Sequence, residues 1–293
     1  MRYQFIDALN AYSSIASLCA FVGVSCSGYY AWRKRPASAR QREDMVLLAH
    51  VKDRFEASNK AYGARRIAAD LTADGIAIGR HRVTRLMRDN TLKVERKKKF
   101  KRTTDSYHNK PVAPNLLEQD FTCTGPNQKW GADISYLWTA EGWLYLAVVV
   151  DLFSRRIIGW STSNRMKTDL VTNALKRALA TRTCLDGLIH HSDRGSQYCS
   201  DAYQRLLSRH HIIPSMSGKG NCYDNAMVET VFKTIKSEML WRTAFLTRQE
   251  AKKALGLYIE GFYNPTRRHS ALDYQSPITF ERQRRKIETE ALH

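Results

Sequence analysis

An α/β core, a mixed sheet flanked by helices and preceded by small all-α segments of helix-turn-helix outline, is the fold class that this 293-residue chain predicts. Three observations carry it. Residues 130–138 alternate apolar with polar or small side chains, and 143–150 is an almost wholly apolar run. The first is the pattern of a half-buried strand, the second that of a strand buried on both faces. Residues 168–182 and 226–239 carry apolar side chains at helical spacing. Before residue 93, short amphipathic helices are punctuated by glycines and no strand pattern occurs.

Taken in order, residues 13–21 read as a short helix, Gly23 as a turn, and Ser25 as the cap of a second helix through Tyr29, Tyr30 and Trp32. The aromatic and basic cluster from Tyr29 to Arg35 suits either a phosphate backbone or a small core, and the pattern leaves both open. Three helices follow over 43–56, 63–73 and 79–90. The last bears Arg80, Arg82, Arg85 and Arg88 beside the apolar Val83, Leu86 and Met87, a phosphate-facing row or a solvated face. Residues 93–102 hold seven basic side chains and one acid, and 93–126 as a whole is read as a basic linker. The expected segments are 1–38, helix-turn-helix-like; 39–92, trihelical; 93–126, linker; 127–245, core; and 246–293, a helical extension.

Within the core, alternation places Asp133 away from the face of Trp130, Ala132 and Ile134. A turn at Glu141-Gly142 leads into the apolar run ending at Asp151, and a third run over 155–161 completes an antiparallel meander. A helix over 168–182 precedes the strand Leu188-Ile189-His190-His191, which stops at Ser192-Asp193-Arg194-Gly195. A carboxylate at a strand end beside a glycine turn sits at a sheet's rim, where α/β folds place chemistry. Asp224 or Asn225 caps the next helix, on which Glu229, Lys233 and Lys236 share a flank roughly 110° from the middle of the apolar stripe. An i,i+4 ion pair on a solvated face is the plain alternative for Glu229 and Lys233. Asp151 suits a turn better than a metal, and His190 and His191 should alternate, one inside and one toward the rim.

Three carboxylates converging on a rim suit hard cations such as Mg²⁺ or Mn²⁺, and two ions about 4 Å apart would serve phosphoryl transfer. Spacing alone is weak in a chain with 28 acidic residues. Charge supports a polyanionic partner. The 47 Lys and Arg give +19 overall, and residues 1–110 hold 23 basic and 10 acidic side chains. Six cysteines (Cys19, Cys26, Cys123, Cys184, Cys199, Cys222) form no CxxC or zinc spacing and are expected to be reduced thiols in the cytoplasm. No apolar run reaches the length of a membrane span.

Four stretches carry a resemblance: Trp130-Gly131-Ala132-Asp133-Ile134-Ser135-Tyr136, Val150-Asp151-Leu152-Phe153-Ser154-Arg155, His191-Ser192-Asp193-Arg194-Gly195-Ser196-Gln197-Tyr198 and Tyr223-Asp224-Asn225-Ala226-Met227-Val228-Glu229. With 35 residues between Asp193 and Glu229 and Lys236 seven positions further on, they resemble the integrase-type core of the insertion-sequence-three family of bacterial transposases. Tyr62 to Ile67 with Arg82 to Met87 resembles the family's helix-turn-helix-like segment, and Phe262 to Leu272 its carboxy-terminal signature, Asp273 standing where many relatives have glycine.

The resemblance implies a ribonuclease-H-like fold and a triad of Asp133, Asp193 and Glu229 as catalytic metal ligands. The implied reaction is cleavage at the ends of a mobile element, then attack of the freed 3′-hydroxyl on another phosphodiester. The expected partners are the element's terminal inverted repeats and target DNA, with the chain as a homo-oligomer on DNA. An upstream-frame helix-turn-helix and leucine-zipper protein, free or fused, is a further expected partner. Candidate DNA contacts are Lys219, Tyr223, Asn225, Lys233, Lys236 and the four arginines Arg80, Arg82, Arg85 and Arg88. A non-catalytic DNA-binding regulator, or a nuclease that hydrolyses without joining, remains open on the sequence.

Overall fold

The computed structural model describes residues 1–94, 111–183, 186–218 and 222–290, the side chains of Cys222, Tyr223 and Glu288 excepted. Most of the basic run 93–102, together with Lys219 and the side chain of Tyr223, therefore lies outside the described residues.

The first unit holds α1 (Arg2–Leu9), α2 (Ile15–Val22) and α3 (Cys26–Lys34). Ser14 and Ser25 accept the Ser17 and Gly28 amides as N-caps, and Gly23 turns between the last two helices at φ 68°, where a side chain is disfavoured. The two helices meet at 107°, inside the range of helix-turn-helix pairs. Tyr29 is fully buried and donates to Asp7 at 2.8 Å, while Trp32 stacks on Tyr3. Tyr29, Trp32 and Tyr3 are the core of the unit; Tyr30 and the basic residues Arg33 to Arg35 are exposed. The sequence pattern does not reveal α1, which buries a single side chain, Ile6.

In the second unit, α4 (Ala39–Ala57), α5 (Ala64–Ala73) and α6 (Arg80–Asp89) close over Val51, Phe55, Ile67, Leu71, Val83 and Leu86. The first of these begins earlier than the apolar spacing suggests. Ser38 and Gln41 exchange side-chain-to-backbone bonds in a capping box, which starts the helix before its buried stripe.

The core strands are β1 (Lys129–Thr139), β2 (Gly142–Asp151) and β3 (Ile157–Ser163), then α7 (Thr168–Thr181), β4 (Ile189–Ser192), α8 (Asp201–Arg209) and β5 (Ile213–Met216). After these come α9 (Ala226–Glu238), α10 (Arg248–Gly256), a π-helical turn Leu257–Tyr263 and α11 (Pro277–Glu290). The sheet order is β3-β2-β1-β4-β5, with β1, β2 and β3 antiparallel and β4 and β5 parallel to β1. This is the ribonuclease-H-like mixed sheet that the resemblance implies. One face packs α7 and α8 against Trp130, Ala132 and Val149; the other packs α9 and α10 against Leu146, Val148 and Val150.

The third strand starts at Ile157 rather than 155 because Arg155 takes a left-handed φ of 62° and donates to the Asp151 carbonyl, closing a turn. The sequence reading assigns nothing to 200–216. There β5 is a short edge strand that accommodates Pro214 where no ladder donor is needed. Residues 111–126 correct the linker reading for that stretch. Leu117 is buried in the core, Pro114 accepts the Met216 amide, and the Leu116 amide reaches Ser215 Oγ at 2.9 Å.

The carboxy-terminal segment is sewn to the core. Asn264 brackets Ile157, accepting its amide at 3.0 Å and donating to its carbonyl at 2.9 Å. Glu281 of α11 accepts from Ser154, Arg156 and Arg182 at 2.6–2.7 Å. At Asp273 φ is 49°, a left-handed conformation that glycine would adopt without strain.

The same segment also grips the trihelical unit. Glu238, at the end of α9, accepts from Arg267 Nε and Nη2 at 2.8 and 2.6 Å, from Arg66 of α5 at 3.0 Å and from Tyr258 at 2.8 Å. Arg268 donates to Asp70 at 2.7 Å through its side chain and to the Tyr62 hydroxyl oxygen at 2.8 Å through its amide, while Asn59 donates to the Glu238 carbonyl. The signature over 262–272 therefore works as a junction between α5, α9 and the core.

One strand residue fixes how closely α9 approaches. A Cβ on Gly131 would lie 2.5 Å from Val228 Cγ2 and 3.0 Å from Leu152 Cδ2. Gly131→Ala is expected to displace α9 and destabilise the protein by about 1–3 kcal/mol, the usual cost of overpacking, which a denaturant midpoint would read. An unchanged midpoint would mean that the helix does not need this contact.

Candidate active site

The geometry of the site starts from strand register. β1 pairs with β2 along its length, Asp133 opposite Val148, but with β4 only from Lys129 to Gly131. Gly131 stands beside His191 in that parallel ladder, and Asp133 and Asp193 each follow two residues later. The two aspartates thus come off neighbouring strands at one level, where the strands part and the sheet opens a notch. Glu229 enters the same notch from the first turn of α9, which the Gly131 contact and a 3.3 Å bond from Asn225 Nδ2 to the Ala132 carbonyl hold against β1.

Local hydrogen bonds orient the aspartates. Asp133 Oδ1 accepts its neighbour's amide, Ile134 N, at 2.7 Å, and Asp193 Oδ1 accepts Gly195 N at 2.9 Å. The Asp133 carboxyl is pushed well above the usual carboxylate range, first by burial and then by the charges of Asp193 and Glu229; the Ile134 amide and Lys236 work the other way. Three like charges meeting in a poorly solvated notch repel one another. Among the described residues, no three acidic, histidine or cysteine side chains close into a ready-made metal cage. Glu229 instead pairs with Lys233 at 3.6 Å, the i,i+4 arrangement that the helix pattern allows.

Lys236 is a partly buried cation of the notch. Its ammonium lies 5.4 Å from the centre of the Tyr136 ring, and burial holds its pKa below the usual lysine value against the pull of Asp133. Lys233 is well exposed at 72%.

The other expected DNA contacts divide. Arg80 is exposed on α6 and Arg88 is 74% exposed with a bond to Asp89. Arg82 and Arg85 turn inward to Asp44 at 2.8 and 2.6 Å. Asn225 is buried and committed to the β1 backbone, which corrects its reading as a free DNA contact. Neither Asn225 nor Asp224 caps α9 with its side chain. Asp224 instead accepts from Asn115 Nδ2 and from the Gly218 amide, tying the entering strand to the loop before the helix.

Both histidines of β4 are buried, against the expected alternation. His190 Nε2 bonds the Tyr203 hydroxyl at 2.9 Å; His191 bonds Ser215 at 2.9 Å and Ser217 at 3.2 Å. Burial lowers each from 6.5 to about 4. A base whose folded pKa is depressed contributes stability that is complete above pH 6.5 and is lost as pH falls toward 4. Imidazole ¹⁵N shifts are expected to report neutral rings down to about pH 5; protonation near 6.5 would overturn this burial argument. Asp151 is a buried structural group, accepting the Asn127 and Phe153 amides at 3.0 Å each.

The sequence reading missed Tyr198. Its hydroxyl is buried with no hydrogen-bond partner among the described residues. Burial first, then the charges of Tyr203, Asp133 and Asp193, push its phenol well above the usual value. The signal was its place in the run from His191 to Tyr198, which was read only for Asp193.

Two family models, each described as an integrase core domain, match residues 124–222 and 210–277, and one described as an HTH-like domain matches 41–100. The chain is 44% identical over 287 residues to Transposase InsF for insertion sequence IS3A of Escherichia coli (strain K12), covering 96% of this chain and 98% of that one. It is also 44% identical over 263 residues to the insertion element IS600 uncharacterized 31 kDa protein of Shigella sonnei, covering 90% and 97%. Among solved structures, the HTLV-2 integrase catalytic core domain in complex with magnesium aligns with 55% of this chain and 99% of its own at 19% identity and a TM-score of 0.41.

Proposed function

This chain belongs to the insertion-sequence-three family of DNA transposases, polynucleotidyl transferases with an integrase core, and we propose that Asp133, Asp193 and Glu229 are its catalytic carboxylates. The observation that carries the reading is the parallel register that brings Asp133 and Asp193 to one level, with Glu229 held beside them by the Gly131 contact.

The donor set fits divalent magnesium or manganese. All three groups are oxygen ligands, and their mutual repulsion is the excess negative charge that a hard cation relieves. An open set also suits an ion that keeps water and shares its shell with substrate phosphate. Two ions held by Asp133, Asp193 and Glu229 would supply activation of the attacking hydroxyl and stabilisation of the leaving oxygen.

The protein's remaining task is to hold DNA. Lys236 places a partly desolvated positive charge beside Asp133, where it offsets phosphate charge at the notch. Lys233 exchanges its exposed pair with Glu229 for phosphate at little cost, since such pairs are weak. Arg80 and Arg88 project from α6 toward solvent and serve a DNA backbone, whereas Arg82 and Arg85 hold α6 to α4 through Asp44. The active form is a homo-oligomer on the element's inverted repeats and target DNA, with an upstream-frame partner as an added determinant of end recognition.

A labelled duplex ending in the element's inverted repeat, incubated with the protein and Mg²⁺, tests this reading. Nicked ends joined through their 3′-hydroxyls are expected. Hydrolysis without joining would reassign the core to a nuclease, and binding without cleavage would leave a partner-dependent subunit.

A further inference from the structure

Down β1 from Asp133, the strand carries Tyr136 and Trp138, and Trp143 faces them across the hairpin from β2. The three rings form one cluster, Tyr136 to Trp143 at 5.1 Å and Trp138 to Trp143 at 4.8 Å between centroids, both edge-to-face. Trp138 nevertheless remains 60% exposed and Trp143 42%. An edge-to-face pair covers at most one face of one ring, so flat indole surface stays open to solvent.

The hairpin does not need those indoles to hold its shape. The Ala140 amide bonds the Phe245 carbonyl, Arg248 Nη2 bonds the Glu141 carbonyl, and Arg248 Nε reaches the Trp143 carbonyl at 3.1 Å. Anchors from Phe245 and from Arg248 at the start of α10 therefore fix the backbone of the tip, and the rings are presented on a rigid support. At the inner end of the aromatic row stands Lys236, over Tyr136. Aromatic faces beside a cation, in a DNA enzyme, are the components of a base-stacking surface.

We propose that Trp138 and Trp143, with Tyr136 at their inner edge, form a stacking platform for an unpaired base of the DNA strand that passes through the notch. Strand geometry sets the distance. At about 3.3 Å per residue, Tyr136 and Trp138 lie roughly 10 and 17 Å along β1 from Asp133, about three to five nucleotides at stacked spacing. The distance to the reacting phosphate rests on Asp133 being catalytic; the platform itself does not. A second copy of this chain is the other occupant that such a surface could take, but Lys236, which stands over Tyr136 and also interacts with Asp133, puts a cation between the row and the notch and favours nucleic acid.

The test uses the full chain without divalent metal, so that binding is read apart from chemistry. Fluorescence anisotropy compares a flush duplex with the same duplex bearing a roughly five-nucleotide oligothymidine extension, a length set by the stacked spacing above. The extended duplex is expected to bind more tightly. Trp138→Leu and Trp143→Leu should each weaken the extended duplex by roughly 5- to 100-fold, with flush-duplex binding and the melting temperature unchanged. Trp138→Phe should restore most of the preference. Equal binding of the two duplexes by the parent protein, or a leucine variant that keeps the preference, would overturn the proposal. A DNA-free dimer in sedimentation that Trp138→Leu dissociates would also overturn it, in favour of a protein interface. Failure of Asp133 as a catalytic residue would appear as cleavage surviving its substitution, a result on which this binding comparison does not depend.

Discussion

Asp193→Asn is expected to lower both end cleavage and strand joining by about a thousandfold or more while leaving duplex affinity within about threefold. The substitution keeps the volume and the carbonyl oxygen that accepts the Gly195 amide at 2.9 Å, so the turn after β4 survives. It removes a negative charge from the notch. Loss of about 4 kcal/mol of transition-state stabilisation corresponds to that rate loss, a reasonable share of what a metal-assisted site supplies. The same change removes the stronger of the two charges that raise Asp133, so the Asp133 carboxyl should titrate lower in the variant. Single-turnover cleavage beside a gel-shift titration separates the outcomes. A variant that cleaves normally would dismiss Asp193 from the chemistry, and one that loses binding together with its fold would show the residue to be structural.

The second large effect is on stability. Glu238→Ala should cost about 3–5 kcal/mol, the usual penalty for leaving a buried charge without its partner. Arg267 and Glu238 are 4% and 7% exposed, and Arg267 offers Glu238 two hydrogen bonds. Burial alone would raise the Glu238 carboxyl, but the bonds and charge of Arg267, helped by Arg66, hold it below its usual value. A carboxylate depressed in the folded state contributes stability above its unfolded pKa near 4.5, and that contribution disappears as pH falls below it. Arg66→Ala should cost less, since that guanidinium is 26% exposed. Urea denaturation at pH 7 reads both variants. Should Glu238→Ala unfold at the parent midpoint, the junction contributes nothing net to the fold.

Much of this structure was legible in the amino-acid order because local periodicity carried it. The alternation before Trp138, the apolar run to Val150 and the stripe Val228, Val231, Phe232, Ile235 became strands and a helix as expected. The carboxylates were legible because motif context placed each at a strand or helix position. What escaped was long-range. Asp44 lies 38 residues from Arg82, and nothing in the arginine row of α6 reveals that two of its four members are held by that carboxylate. Pro114, Asn115 and Leu117 looked like tether because their partners, Met216, Asp224 and the core, come a hundred residues later. One of the two β4 histidines was expected at the rim because Ser215 and Ser217, which bond the His191 ring, lie in and just beyond a four-residue strand too short to announce itself. Gly131 could have been found, since a glycine inside a strand pattern signals close approach of another backbone or side chain.

The junction around Glu238 bears on how relatives can trade parts. A chimera that takes only residues 39–94 from a homologue would bring foreign groups to positions 59, 62, 66 and 70, opposite the recipient's Glu238 and Arg268. The trihelical segment, the end of α9 and the stretch from Asn264 to His269 therefore form one discontinuous unit of inheritance. Donor and recipient have to match at both ends of that junction, so variants of the trihelical segment should arise by coordinated point substitution more readily than by exchange of the amino-terminal segment alone.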